Sequence, residues 1–193
     1  MKSVRFGILA EDATDCDALA ILVRRVAEGA VVGVKTQSFG GCARLRQKAA
    51  PTMKLMAREG CSAILLVHDL DRDPENGELN DEAALRRKLE DIESPDSISR
   101  LVCIPVEELE AWFWSDPGAL ALVSPGAKAH PSPHLLRQPK EKLFALSRGE
   151  NKKARYSTLM NKTLAANLDL DLCAARCVAF RQMREFIRHA LSS

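Results

Sequence analysis

Apolar residues in the first half of the chain form short continuous runs that alternate with segments of helical periodicity. The runs at 4–10, 31–36, 62–67 and 99–104 are rich in Val, Ile and Leu, which is typical of strands buried on both faces. Between these runs, apolar positions recur every three or four residues, as in helices with one buried face. Strands that alternate with helices predict βαβ units and therefore an α/β fold with a mainly parallel, Rossmann-like sheet flanked by helices.

Turn and cap residues set the expected limits of the first three helices. Thr14 and Asp15 precede the first helical pattern, and we expect Asp15 to cap it. Gly40 and Gly41 precede the second helical pattern, and the third runs over residues 81–93.

The second half of the chain has a different pattern. Residues 107–115 are expected to form a helix with Leu109, Trp112 and Phe113 on its buried side. The stretch 117–139 contains five prolines and little periodicity, and helical patterns resume at 140–147, 156–167 and 174–191. We therefore predict an α/β core over residues 1–123 and a helical C-terminal extension over 124–193, packed on the core as one unit.

Composition limits the class of protein. No apolar run approaches the roughly 20 residues of a membrane span, and no hydrophobic leader precedes the first strand, so we expect a cytoplasmic protein without a membrane partner. The six cysteines form no Cys-x-x-Cys pair, which suits reduced thiols.

Charge is distributed unevenly along the chain. Residues 1–123 carry 15 basic and 21 acidic side chains, whereas residues 124–193 carry 13 and 5. A basic segment beside an acidic site can hold a polyanion, although basic helices are also common as plain solvated surface. The candidates for contacts with phosphate oxygens are Lys152, Lys153, Arg155 and Lys162.

Acidic residues follow three of the predicted strands. Glu11 follows the first, the Asp69-x-Asp71-x-Asp73 segment follows the third, and a segment with three glutamates follows the fourth. These glutamates are Glu107, Glu108 and Glu110. The carboxyl ends of parallel strands meet at the ligand-binding edge of an open α/β sheet. Carboxylates gathered there repel one another unless a cation neutralises them, and Mg²⁺ prefers carboxylates, waters and phosphate oxygens.

The acidic residues therefore predict a Mg²⁺ site, with Mn²⁺ as a possible substitute. We expect Glu11, Asp69 and Asp71 to bind one or two ions and to be the catalytic residues, with Glu11 as either ligand or general base. The expected outer or second-metal ligands are Asp73, Glu107 and Glu110, the last two on one helix face. His68 is expected in the core, facing away from Asp69. The ordinary alternatives are acids at helix N-termini and a solvated acidic loop.

At these residues the sequence resembles the Toprim fold of topoisomerases, primases and the overcoming-lysogenization-defect nucleases. That resemblance implies Mg²⁺ coordination by the glutamate after the first strand, here Glu11, and by the Asp-x-Asp after the third, here Asp69 and Asp71. Asp12 stands where the Toprim motif often has glycine, and Asp15 retains the later acid of that motif.

The chain also resembles an uncharacterised bacterial family, the domain of unknown function 4276. The likeness lies in four segments spread over residues 4–188. They are His68-Asp69-Leu70-Asp71-Arg72-Asp73, Glu107-Glu108-Leu109-Glu110-Ala111-Trp112, Pro139-Lys140 and Phe180-Arg181. This resemblance implies a fold and a site, and no particular reaction.

Three functions fit the sequence. The leading hypothesis is a Mg²⁺-dependent nuclease or related phosphoryl-transfer enzyme that acts on nucleic acid, in a role such as genome defence. The second is a non-catalytic binding or regulatory module whose acidic face docks a partner protein such as an ATPase. The third is a phosphorelay receiver with Asp69 as phosphoacceptor. Against this third function, the sequence shows no fifth βα unit with the lysine expected of a receiver.

Overall fold

Four parallel strands form the sheet of this computed structural model, which describes residues 4–148 and 153–193. The strands are β1 (Arg5–Ala10), β2 (Gly33–Ser38), β3 (Ala63–Val67) and β4 (Ser99–Cys103), in the order β2-β1-β3-β4. Each neighbouring pair is parallel, so the predicted α/β class with a mainly parallel sheet is confirmed.

The three helices between the strands are α1 (Ala13–Val26), α2 (Cys42–Arg58) and α3 (Glu82–Glu90). Asp81 caps α3, where its Oδ1 accepts a hydrogen bond from the Ala84 amide at 3.0 Å. The expected cap of α1 is wrong. Asp12 occupies the N-cap position, and Asp15 lies in the first turn of the helix.

Beyond β4 the chain is mainly helical, as predicted for the extension. A 3₁₀ helix covers Leu109–Ser115, and shorter 3₁₀ turns cover Pro133–Leu135 and Thr158–Met160. The α-helices of this half are α4 (Pro117–Ala121), α5 (Pro139–Leu146), α6 (Asn161–Asn167), α7 (Leu170–Arg176) and α8 (Val178–Ser192). The single helix expected over 174–191 is two helices, because the backbone at Cys177 is extended. Within the described ranges, none of the helices combines the length and apolar character needed to cross a membrane.

Each face of the sheet is covered by its own hydrophobic cluster. On one face, α2 and α3 pack side chains such as Leu45 and Leu89 against Leu9. The other face carries Phe6 and Ile8, which pack with α1, the 3₁₀ helix and the C-terminal helices; the large side chains there include Leu19, Trp112, Phe113, Tyr156 and Phe180. The Trp112 and Phe180 rings meet edge to face, with centroids 5.3 Å apart. The C-terminal extension therefore shares its core with the sheet.

A partly buried arginine also joins the first helix to the extension. Arg25 in α1 donates to the backbone carbonyls of Ala165 at 2.8 Å and Leu168 at 2.6 Å. These two carbonyls lie in the last turn of α6 and just beyond it, where a helix leaves acceptors without intrahelical partners. Arg25 therefore stabilises the packing of α6 on α1.

Replacing this arginine tests that role. We expect Arg25→Met to lower the free energy of unfolding by about 1–3 kcal/mol, because two partly buried acceptors lose their donor. The matched control is Arg24→Met, since Arg24 is exposed and donates to the carbonyl of Ala20 in its own helix. Urea unfolding measures both variants, and an equal loss for the two would contradict the assigned role.

Candidate functional site

The chain after β3 continues to pair with the chain after β4 beyond the ends of both strands. The His68 amide donates to the Cys103 carbonyl at 3.1 Å, and the Leu70 amide donates to the Pro105 carbonyl at 2.8 Å. Leu70 is buried, so the alternation of an extended backbone directs Asp69 and Asp71 to the opposite side. The end of β3 thus carries two carboxylates to the carboxyl edge of the sheet.

Glu11 is held beside these residues by the turn that follows β1. Its carbonyl accepts hydrogen bonds from the amides of Phe39 at 3.1 Å and Gly40 at 2.8 Å. Gly40 adopts a φ of 66°, which glycine tolerates at no steric cost. The β1–α1 and β2–α2 turns are therefore joined, and Glu11 is fixed at the same edge as Asp69 and Asp71.

A small cavity, which we call the acidic pocket, lies at this edge and has a volume of about 100 Å³. Seven carboxylates and one lysine line it, together with two threonines. These residues are Glu11, Asp12, Thr14, Asp15, Asp69, Asp71, Glu108, Glu110, Lys140 and Thr158. The structure thus brings together four of the six predicted metal ligands, and it adds Asp15, which was expected to be a helix cap.

A larger cavity, which we call the flanking cavity, lies on the other side of Asp69 and Asp71 and measures about 330 Å³. It shares these two carboxylates with the acidic pocket. Cys42 and Arg46 of α2 also line it, as does His68, which directly follows β3. The other lining residues are Asn80 and Asp81, which precede α3, and Ala84, Leu85 and Lys88 of α3. Asp69 and Asp71 therefore line both cavities.

Burial and mutual repulsion make the carboxyl groups of the acidic pocket hard to ionise. Burial, followed by the charges of Asp15 and Glu110, raises the pKa of Asp69 well above its ordinary value. Burial and the charge of Asp71 raise the pKa of Glu11 to about 7. Burial and the charges of Glu110 and Asp12 raise the pKa of Asp15 to about 7 as well. At neutral pH these groups hold protons that a bound cation would displace.

His68 is buried, as expected, and its ring also lies against Glu11. Its Nδ1 is 2.8 Å from the Asp69 carbonyl and 3.4 Å from Oε1 of Glu11, and its side chain is 4% exposed. Burial lowers the pKa of His68, so the ring is neutral at neutral pH and does not balance the charge of Glu11. Among the described residues, Oε1 of Glu11 is a buried oxygen without a hydrogen-bond partner.

Glu11, Cys42 and His68 also form a group that could hold a metal ion. Each offers one ligand atom, and the three atoms lie within 4.8 Å of one another. A carboxylate, a thiol and an imidazole suit a borderline ion such as Zn²⁺, whereas the carboxylates of the acidic pocket suit Mg²⁺ or Mn²⁺. Glu11 is common to both sets.

Glu110 is fixed by two residues of the C-terminal extension. Its Oε1 accepts from Nδ2 of Asn161 at 3.0 Å and lies 3.4 Å from the Tyr156 hydroxyl, which donates to Oδ1 of Asn161 at 2.7 Å. All three side chains are buried. The extension therefore orients a carboxylate of the pocket, and no local sequence pattern indicates this role of Tyr156 or Asn161.

Lys140 is the basic residue that lines the acidic pocket. Its ammonium group lies 2.8 Å from Oε1 of Glu108, and its amide donates to Oε2 of Glu108 at 3.1 Å. Burial lowers the pKa of Lys140, but the bond to Glu108 outweighs it and raises the pKa above its ordinary value. The Pro139-Lys140 pair of the family-like pattern is the one sequence signal that points to this residue.

The structure does not bring Asp73 and Glu107 into the acidic pocket, so this part of the expected ligand set is not supported. Asp73 turns toward the following loop, where its Oδ1 accepts from the Glu75 amide at 2.8 Å. Glu107 precedes the 3₁₀ helix with a φ of 64° and is bound by the guanidinium of Arg72. Glu107 and Glu110 therefore do not share a helix face, because the helix begins only at residue 109.

The predicted phosphate contacts are not found at the pocket either. Lys153, Arg155 and Lys162 are exposed, and Lys140 takes the place expected of them beside the carboxylates. Lys152 lies outside the described residues.

The raised pKa of Asp15 predicts a pH-dependent effect on stability in metal-free protein. The folded-state pKa of about 7 lies above the unfolded value of about 3.9, so ionised Asp15 destabilises the fold increasingly as pH rises from about 4 to 7. We expect Asp15→Asn to raise the free energy of unfolding by on the order of 2 kcal/mol at pH 8 and to change it little at pH 4.

Urea unfolding in EDTA at the two pH values measures this difference. Asp17→Asn is the matched control, because Asp17 is an exposed acid on the same helix. A loss of stability in Asp15→Asn at pH 8, or a change of equal size at both pH values, would contradict the repulsion assigned to Asp15.

Comparison with known proteins places the chain in a family. No curated protein and no solved structure matches it. The family described as Domain of unknown function (DUF4276) matches residues 10–188, which include both cavities and nearly all of the C-terminal extension. The chain therefore belongs to the family of proteins with the DUF4276 domain.

Proposed function

We propose that the protein is a divalent-metal-dependent phosphodiester hydrolase that acts on nucleic acid. The observation that carries this proposal is the buried Oε1 of Glu11, which has no hydrogen-bond partner in the described part of the chain and lies in a pocket lined by seven carboxylates and one lysine. Such a gathering of acids opposes folding unless protons or cations neutralise it. A site that a fold keeps at this cost is a candidate for function.

The residues of the acidic pocket fit a hard divalent cation. Glu11, Asp69 and Asp71 would hold it, because Mg²⁺ and Mn²⁺ prefer carboxylate oxygens, and Glu110 lies among them as a further ligand or as a partner for bound water. A bound cation of this kind polarises a phosphodiester and lowers the pKa of an attacking water.

The chain's own groups supply the remaining chemistry. Glu11 has two alternative roles, as a ligand of the cation or as the general base. In the second role it does not bind the cation, and its pKa of about 7 lets it accept a proton from water at neutral pH. Tyr156 and Asn161 hold Glu110 in place. Lys140 is held at the wall of the pocket by its ion pair with Glu108, where its charge offsets part of the repulsion among the carboxylates.

Nucleic acid is the substrate class that the charge distribution favours. The segment 124–193 carries 13 basic and 5 acidic side chains, and the sheet-edge acids follow the same strands as in the Toprim nucleases that the sequence resembles. We include in this proposal that the cleavage of nucleic acid serves genome defence.

A pair of aspartate variants tests this proposal. We expect Asp71→Asn to lower Mg²⁺- or Mn²⁺-dependent cleavage of polynucleotides on the order of a hundredfold or more, because a carboxylate of the pocket loses its charge. Asp73→Asn is the matched control, since Asp73 lies two residues away and faces the loop. Cleavage assays with single-stranded and duplex DNA and RNA, with circular dichroism to verify folding, measure both variants.

Equal activity in wild type and Asp71→Asn would contradict the assigned role. A wild-type protein that cleaves none of these polynucleotides with either metal would contradict the hydrolase proposal and would favour the non-catalytic module, which docks a partner protein such as an ATPase.

A further inference from the structure

We propose that the flanking cavity is the subsite for the nucleotide unit next to the scissile phosphate, with Arg46 and Lys88 contacting its phosphate oxygens. This inference rests on the proposed function and specifies where the substrate lies. Arg46 and Lys88 replace Lys153, Arg155 and Lys162 as the expected phosphate contacts, because those three residues line neither cavity.

The position of the cavity is the first argument. Asp69 and Asp71 line both the flanking cavity and the acidic pocket, so a group in the flanking cavity lies directly beside the proposed metal ligands. A nucleic acid strand cleaved at that site must place the neighbouring nucleotide in an adjoining space. The flanking cavity is such a space, and its volume of about 330 Å³ lies at the small end of the range of ligand pockets, about 300–1,000 Å³.

The charge of Arg46 is the second argument. Its guanidinium Nη1 is 3.4 Å from Nε2 of His68. Nδ1 of His68 lies 2.8 Å from the Asp69 carbonyl, so Nδ1 carries the proton and Nε2 accepts. The partner of Arg46 is therefore a neutral ring. It orients the guanidinium at the cavity and leaves the positive charge of Arg46 unneutralised.

Other basic residues near the acidic edge are already paired with carboxylates. Arg72 binds Glu107, Arg86 binds Glu82, and Lys140 binds Glu108. Within the described part of the chain, the ion pairs do not include Arg46 or Lys88. These two charges, one from α2 and one from α3, both line the cavity and are available to an anion.

The remaining lining suits the other parts of a nucleotide. Ala84 and Leu85 present apolar surface on α3, which can pack against a sugar or a base. Asn80 also lines the cavity, and its Nδ2 donates to the Asp71 carbonyl at 2.7 Å. No described residue donates to its Oδ1, which can accept from a base or a sugar hydroxyl. Cations, an apolar wall and an amide together match the chemistry of a nucleotide better than that of a free inorganic anion.

Binding without catalysis tests this subsite. Fluorescence anisotropy measures the affinity of wild-type protein for a fluorescein-labelled oligothymidylate in EDTA, over a series of salt concentrations. We expect Arg46→Ala/Lys88→Ala to weaken binding about tenfold or more and to reduce the slope of log K against log salt by about 1.4, the value for two lost phosphate contacts on a single strand.

Two control variants separate this effect from a general loss of positive charge. Lys48→Ala/Arg87→Ala removes two exposed charges from the same two helices, outside the cavity, and is expected to retain near wild-type affinity. Arg46→Lys keeps the charge and is expected to recover most of the affinity that Arg46→Ala loses. Circular dichroism verifies that each variant is folded.

Equal weakening in the two double variants, or no binding by wild type, would overturn the inference. A wild type that binds the oligonucleotide through Arg46 and Lys88 but cleaves no polynucleotide would contradict the proposed hydrolase and support the subsite.

Discussion

Repulsion among carboxylates at the carboxyl edge of the sheet is the constraint on which the rest of this site depends. Parallel strands end at one edge, so the acids that follow β1 and β3 meet there whatever else the chain does. The cost shows in the raised pKa values of Glu11, Asp15 and Asp69, all of which have burial as their largest cause. A fold that keeps such a cluster must hold it rigidly, because relaxed side chains would separate.

The surrounding elements supply that rigidity. Two hydrophobic clusters cover the two faces of the sheet, and the C-terminal extension belongs to one of them. The same extension carries Asn161 and Tyr156 to Glu110, and α5 carries Lys140 to Glu108. The extension therefore serves both the core and the site, which explains why the match to the family spans almost the whole chain.

Hydrophobic periodicity predicted the strands and their mainly parallel pairing, because both depend on local sequence pattern. The convergence of Glu11, Asp69 and Asp71 followed from one rule, that the carboxyl ends of parallel strands meet at the same edge of a sheet. Contacts between distant segments could not be read in the same way. His68 lies against Glu11, and Asn161 of the extension donates to Glu110, both without a local signal of their role. Lys140 also reaches the pocket from the extension, and the Pro139-Lys140 pair is its one sequence signal. The expected pairing of Glu107 with Glu110 failed because a regular α-helix was assumed where a 3₁₀ helix begins two residues later.

Calorimetric titration of metal-free protein with Mn²⁺ at neutral pH tests most directly whether the acidic pocket holds a cation. Saturable binding is predicted for wild type, with release of protons from carboxyl groups such as Glu11, whose pKa is about 7. No binding heat is predicted for Asp69→Asn/Asp71→Asn. The same heat in the variant, or no heat from wild type with and without added oligothymidylate, would contradict a metal site at this edge of the sheet.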